Sequence, residues 1–174
     1  GASFAQGQSA TSAAESSAAA VAAYSDAANY QNNMAYELAA EEWQRFLERF
    51  GSDPLAPKAQ HYRGVCLVQL KRFDEAVKAF RAVVSQAPKF ELLEETYLNL
   101  GWSQYRLAQA GDADRYGQAI ETFGTLAEKY PEGKYVDQAL FYRAESYYAL
   151  KKLREAALGY GKLVTTYPDS KLRP

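Results

Sequence analysis

The stretch FDEAVKAFRAVVSQAP, Phe73 to Pro88, decides the architecture, because the chain writes it again as LREAALGYGKLVTTYP, Leu153 to Pro168. Glu75-Ala76 returns as Glu155-Ala156, Phe80 as Tyr160 and Pro88 as Pro168. Self-comparison extends the pattern to four units. A small residue recurs at Ala27, Gly64, Gly101 and Ala144, spaced by 37 residues twice and by 43 once. A second small residue recurs at Ala39, Ala76, Ala119 and Ala156, followed four positions later by Trp43, Phe80, Phe123 and Tyr160. Each unit closes on Gly51, Pro88, Pro131 or Pro168.

Helix packing explains these columns. Four residues make about one turn, so Ala76 and Phe80 share a helix face. The alanine lets a partner helix approach, and the aromatic fills the space beneath the next one. The small residue midway along the first helix of each unit does the same from the opposite side. Proline ends the second helix, since it cannot donate to the helical ladder and restricts the residue before it. The long last step has its excess in AQAGDADRYG, so Ala108 to Gly117 is expected to be a loop between helices.

Composition bounds the function. The 174 residues are 48% hydrophobic, as a folded domain or short repeat array requires. Lys and Arg total 20 against 21 Asp and Glu. That balance argues against a protein whose main task is gripping nucleic acid, which needs a basic face. No apolar run approaches the ~20 residues of a membrane span, so no membrane insertion is expected. Cys66 is alone, which excludes an internal disulfide and a cysteine zinc site, and the lone His61 excludes multi-histidine metal sites. No cofactor and no metal are expected.

Residues 1–19 differ in kind: small, polar and rich in Ala and Ser. Ser3-Phe4-Ala5 places small residues at a signal-peptidase spacing, but no apolar stretch precedes it. The segment reads either as the trimmed neighbourhood of a secretory signal or as an ordinary linker. The repeat array occupies 20–174, in units of about 20–56, 57–93, 94–136 and 137–174.

No segment carries catalysis. GYGKLVTT, Gly159 to Thr166, lacks the spacing of a phosphate loop and reads as the second helix of a unit. Its glycines are expected to weaken that helix, by up to ~1 kcal/mol each relative to Ala. DADRYG, Asp112 to Gly117, begins like a calcium loop, but Tyr116 and Phe123 stand where ligands are needed. His61 has no placed nucleophile for a general base to serve, and Cys66 lies in GVCLVQL, which reads as core. The chain is expected not to be an enzyme.

The columns resemble the tetratricopeptide repeat, a helix-turn-helix of 34 residues. The unit from Glu94 carries Tyr97, Leu100-Gly101, Ala119, Phe123 and Pro131. The unit from Pro57 carries Gly64, Ala76, Phe80 and Pro88. The unit from Asp137 carries Ala144, Tyr147, Ala156, Tyr160 and Pro168, and the degenerate first unit has Ala27, Tyr30, Ala39, Trp43 and Gly51. The resemblance implies an all-α, right-handed solenoid of about four helical hairpins. The step is 37 rather than 34, because turns such as YPEGKYVDQA and FGSDPLAPKA are long. In this the chain resembles repeats of bacterial envelope proteins, the TolA-binding protein and the β-barrel assembly lipoproteins among them. That likeness implies an extracytoplasmic location, in the periplasm or cell envelope.

In this family the first helices line a concave groove that binds a peptide or protein partner. The groove-facing places, carried over unit by unit, are Lys58, His61, Tyr62, Val65 and Gln69; then Leu98, Asn99, Trp102, Tyr105 and Arg106; then Gln138, Phe141, Tyr142, Glu145 and Tyr148. The family's clamp for acidic chain ends requires an Asn where Val65 stands, and only Asn99 matches, so that subtype is not expected. A non-enzymatic interaction scaffold is the reading, with a spacer or oligomerisation module of a larger envelope protein as its rival. A fifth unit would begin at the closing YPDSKLRP, so the array is expected to continue. Leu153, Ala157, Tyr160, Leu163, Val164 and Tyr167 form the stripe such a unit would cover, and left open that stripe would drive end-on self-association.

Overall fold

The computed structural model describes residues 15–172. Ser3-Phe4-Ala5 and most of the Ala/Ser-rich segment lie outside the described residues. Eight helices follow one another: α1 (Ala18–Asn32), α2 (Tyr36–Phe50), α3 (Ala56–Gln69), α4 (Phe73–Gln86), α5 (Leu93–Gln109), α6 (Asp114–Lys129), α7 (Val136–Ala149) and α8 (Leu153–Thr166). Each packs on its neighbours in sequence. The result is an all-α solenoid of four helical hairpins, in which each hairpin covers the apolar side of the next.

The repeated columns do what their chemistry requires. Ala39, Ala76, Ala119 and Ala156 are buried, as are Trp43, Phe80 and Phe123. A Cβ on Gly64 would lie 2.6 Å from the Phe80 ring, and one on Gly101 would lie 2.6 Å from Phe123. The glycines therefore admit the aromatic of the same hairpin. Pro88, Pro131 and Pro168 each stand just beyond the end of a second helix.

The turn within each hairpin is the same device four times. Met34, Lys71 and Lys151 have φ of 58°, 59° and 59°, and Gly111 takes φ 123° in the corresponding place. In the second hairpin the Lys71 N–H donates to the Val68 carbonyl and the Arg72 N–H to that of Leu67. This is the paired closure of a left-handed helix cap.

The expected loop over Ala108–Gly117 is not one. Ala108 and Gln109 belong to α5, and Asp114–Gly117 to α6. Where α3 has 14 residues α5 has 17, and where α4 has 14 α6 has 16. The extra residues thus lengthen both helices and add little to the turn. Good helix formers such as Ala, Gln and Arg make that the cheaper solution. Arg115 anchors it, donating to Asp112 at 2.8 Å and to Gln118 at 3.2 Å.

Two further expectations change. Gly159 does not simply weaken α8, since a Cβ there would lie 2.9 Å from the Ala144 Cβ. It is the close-approach point of α7 and α8. In the stripe on α8, Leu163 is fully buried and Tyr160 and Tyr167 are half-buried; Leu153, Ala157 and Val164 are exposed.

Candidate functional site

Among the described residues α3 contacts α5 and α5 contacts α7, while the second helices of successive hairpins make no comparable contact. The first helices therefore follow the tighter, concave side. That curvature gathers the aromatic side chains expected there. Trp102 and Tyr142 lie 4.8 Å apart between ring centroids, Tyr105 and Tyr142 5.5 Å, and Trp102 and Tyr105 5.8 Å. Phe141 joins edge-on to Tyr142 at 5.2 Å. Such tilted and offset pairs are favourable beyond their buried area, so the cluster is a preformed surface.

Trp102 and Tyr142 are half-buried and Tyr148 is exposed, whereas Tyr105 is almost covered by its neighbours. Leu98 packs into the core with Tyr97 and Leu126, so it is floor at most. Arg106 lies over the Trp102 ring at 5.4 Å and over Phe73 at 5.0 Å. No carboxylate pairs with it among the described residues. Two rings thus hold a guanidinium whose hydrogen-bonding capacity is unspent.

Glu145 accepts a hydrogen bond from the Tyr160 hydroxyl of α8. Burial, and then this carboxylate, push the Tyr160 phenol up. The Tyr105 and Tyr142 phenols are raised too, by burial first and Glu145 second. Tyr105 and Tyr142 are neutral hydroxyls able to donate to a ligand, whereas the Tyr160 proton is already given to Glu145. The Asn99 side chain is half-buried, and its backbone carbonyl accepts from Ser103.

Tyr62 stands apart from this cluster. It stacks on Trp43 at 5.9 Å in the core built by the first two hairpins. The expected site thus divides into a Tyr62 patch and a Trp102–Tyr142 patch. Lys58 pairs with Glu91 at 3.1 Å.

His61 is not part of an open groove: it is fully buried. Its position on α3 turns inward, where it meets Tyr62, Phe80 and Phe90. Its Nδ1 lies 2.8 Å from the Thr96 hydroxyl, which donates to the Leu92 carbonyl. The hydroxyl proton is thereby used, so Nδ1 carries a hydrogen and donates to Thr96 Oγ1. The other nitrogen faces Glu95 Oε1 at 3.6 Å, beyond hydrogen-bond reach, and has no hydrogen-bond partner among the described residues. His61 next to it, helped by the Tyr135 hydroxyl at 3.3 Å, holds the Glu95 carboxyl below the usual range against the opposing pull of burial. Glu94 accepts from the Tyr135 N–H at 2.8 Å. These polar contacts lock the second, third and fourth hairpins into register, a role that spacing alone did not reveal.

Among the described residues no cluster of acidic, Cys or His side chains has metal-binding geometry, and no helix is long and apolar enough to cross a membrane. Cys66 is buried, and burial pushes its thiol up to about 11.

Two tetratricopeptide repeat profiles match the chain, one over residues 30–89 and the other over 95–133 and 138–170. No curated protein sequence matches. Solved structures with a similar fold include YrrB, described as a TPR protein with an unusual peptide-binding site. It has a TM-score of 0.70 at 22% identity, covering 89% of this chain and 72% of YrrB. A tetratricopeptide repeat protein from Parabacteroides merdae has a TM-score of 0.73 at 15% identity, covering 90% of this chain and 57% of its own length. MamA from Desulfovibrio magneticus has a TM-score of 0.73 at 16% identity, covering 88% and 78%. At these identities the likeness is one of fold.

Proposed function

The chain belongs to the tetratricopeptide repeat family, and from that premise we propose that its concave groove, formed by α3, α5 and α7, holds a peptide segment of a protein partner. Arrays of this family are scaffolds for protein–protein interaction and typically not enzymes. The observation that carries the finer reading is the Trp102–Tyr105–Tyr142 cluster, with Arg106 held over Trp102 and free of any carboxylate among the described residues. Trp, Tyr and Arg are the types that dominate binding energetics. The aromatic walls suit apolar side chains, Asn99 suits backbone amides, and Arg106 and Glu145 set direction. The peptide-binding site described for YrrB supports the same use of the fold.

A charge balance of 20 basic to 21 acidic residues disfavours a polyanionic ligand, so binding is expected to depend only modestly on salt. The long YPEGK-type turns support an envelope location, to be checked by cell fractionation. The groove itself is tested by placing a photo-reactive amino acid at Tyr148 and, separately, at Lys78 on the exposed side of α4, then irradiating native extract. The groove reading expects a discrete adduct from position 148 and none from 78. Adducts from 78 alone would overturn it.

A further inference from the structure

All the large apolar side chains that stand exposed among the described residues belong to the first or the last hairpin. Each of these hairpins has a neighbour on one side only among the described residues, which accounts for some of them. This does not explain Met34, Leu38 and Leu158, which are 72%, 50% and 66% exposed. Met34 occupies the turn position of Lys71 and Lys151. Leu38 occupies the column of Glu75, Gln118 and Glu155, and Leu158 that of Glu41, Lys78 and Glu121. Lys71, Lys78 and Glu121 remain exposed within the array. Glu75 and Gln118 are half-buried there, so a further hairpin stacked at either end would leave Met34 and Leu158 in water and Leu38 partly exposed.

Leu158 borders a cleft of about 260 Å³ between α7 and α8, floored by Leu140, Ala144 and Tyr147. This cleft lies on the opposite face of α7 from Tyr142, Glu145 and Tyr148. Arg143 and Lys162 line it beside Glu155. Arg143 leaves its Nε buried without a hydrogen-bond partner, and no carboxylate pairs with it among the described residues. The Met34–Leu38 edge is the chemical complement: two protruding apolar side chains beside Glu37, Glu41 and Glu42, carboxylates held at the surface by Arg72 and Arg45.

We infer that the α7–α8 cleft of one copy receives the Met34–Leu38 edge of a second copy, with Arg143 and Lys162 facing the acidic side chains of that edge. Apolar side chains seated in a pocket, and opposite charges at its rim, are the division of labour expected of a specific interface. The two surfaces differ, so the contact is head-to-tail and leaves one cleft and one edge free for further copies. The concave groove is untouched, and this inference does not rest on it.

Sedimentation velocity across a broad concentration range tests this with three forms: the natural sequence, Leu158→Glu, and the double variant Met34→Glu with Leu38→Glu. All three positions are exposed, and an unchanged melting curve confirms that each variant folds; Lys162→Glu replaces Leu158→Glu if it does not. The natural sequence is expected to self-associate, and each variant alone to be monomeric. An equimolar mixture of the two variants should form a dimer and stop there, because one retains the edge and the other the cleft. A monomeric natural sequence overturns the inference and leaves the cleft to a different protein. A mixture that stays monomeric, or self-association that neither variant weakens, overturns it too.

Discussion

Gly101 on α5 lies directly beneath the ring of Phe123 on α6, so that a Cβ added to the glycine would fall 2.6 Å from Phe123 Cε1. Elsewhere on a helix, replacing Gly with Ala gains up to ~1 kcal/mol of helix propensity. Here the methyl would collide with a ring that is itself fully buried and has no room to retreat. Overpacking costs about 1–3 kcal/mol, so Gly101→Ala is expected to destabilise the array. Gly117 on α6 is the control, since a Cβ there meets nothing within 4 Å. Gly117→Ala is expected to stabilise. Urea unfolding of the two variants should move the midpoint in opposite directions; a Gly101→Ala midpoint at or above that of the natural sequence would contradict the packing account.

The Glu95–His61–Tyr135 contact predicts an acid-dependent loss of stability. The Glu95 carboxyl is held below its usual value of 4.5, chiefly by His61. A depressed carboxylate contributes stability that is present above the unfolded value and is lost as pH falls through the folded one. Glu95→Gln is therefore expected to be less stable than the natural sequence at neutral pH, with the difference shrinking below about pH 4.5. Melting temperatures of both forms across that range provide the check, and a difference that stays constant with pH would rule the contact out as its source.

Cys66 makes a prediction about opening. Its side chain is fully buried, and its thiol is pushed up to about 11. The thiolate is the reactive form, so the folded protein should resist a thiol reagent at neutral pH. Mild urea should accelerate labelling in step with unfolding of the first two hairpins. Rapid labelling without denaturant would place Cys66 at an accessible surface.

Much of this fold was legible because its packing rules are local and repeated. Ala76 and Phe80 share a face through helix geometry alone, and the recurrence of that pair announced the stack. The Ala108–Gly117 insertion was misread because register on both sides is preserved equally by a loop and by two longer helices. Only the helix-forming character of Ala108, Gln109 and Arg115 favoured the second solution, and it is a weak signal. His61 was placed at the groove by its column, yet its hydrogen bond to Thr96 draws it inward, and a partner 35 residues away leaves no mark in spacing. The Trp102–Tyr142 pairing was legible only as two members of one face; their contact depends on how closely α5 and α7 approach.

The groove account turns on Trp102, which is half-buried and packed beside Tyr105 and Tyr142. A floor residue and a binding residue respond differently to truncation. Trp102→Ala in the core would cost about 3–5 kcal/mol of folding stability. Trp102→Ala at the centre of a binding surface would weaken the partner by about 2 kcal/mol or more. The decisive measurement is the dissociation constant and the melting temperature of this one variant, taken against the protein cross-linked from position 148. The account predicts a dissociation constant raised by well over tenfold with a modest loss in melting temperature. Unchanged binding with a sharply lowered melting temperature would contradict it.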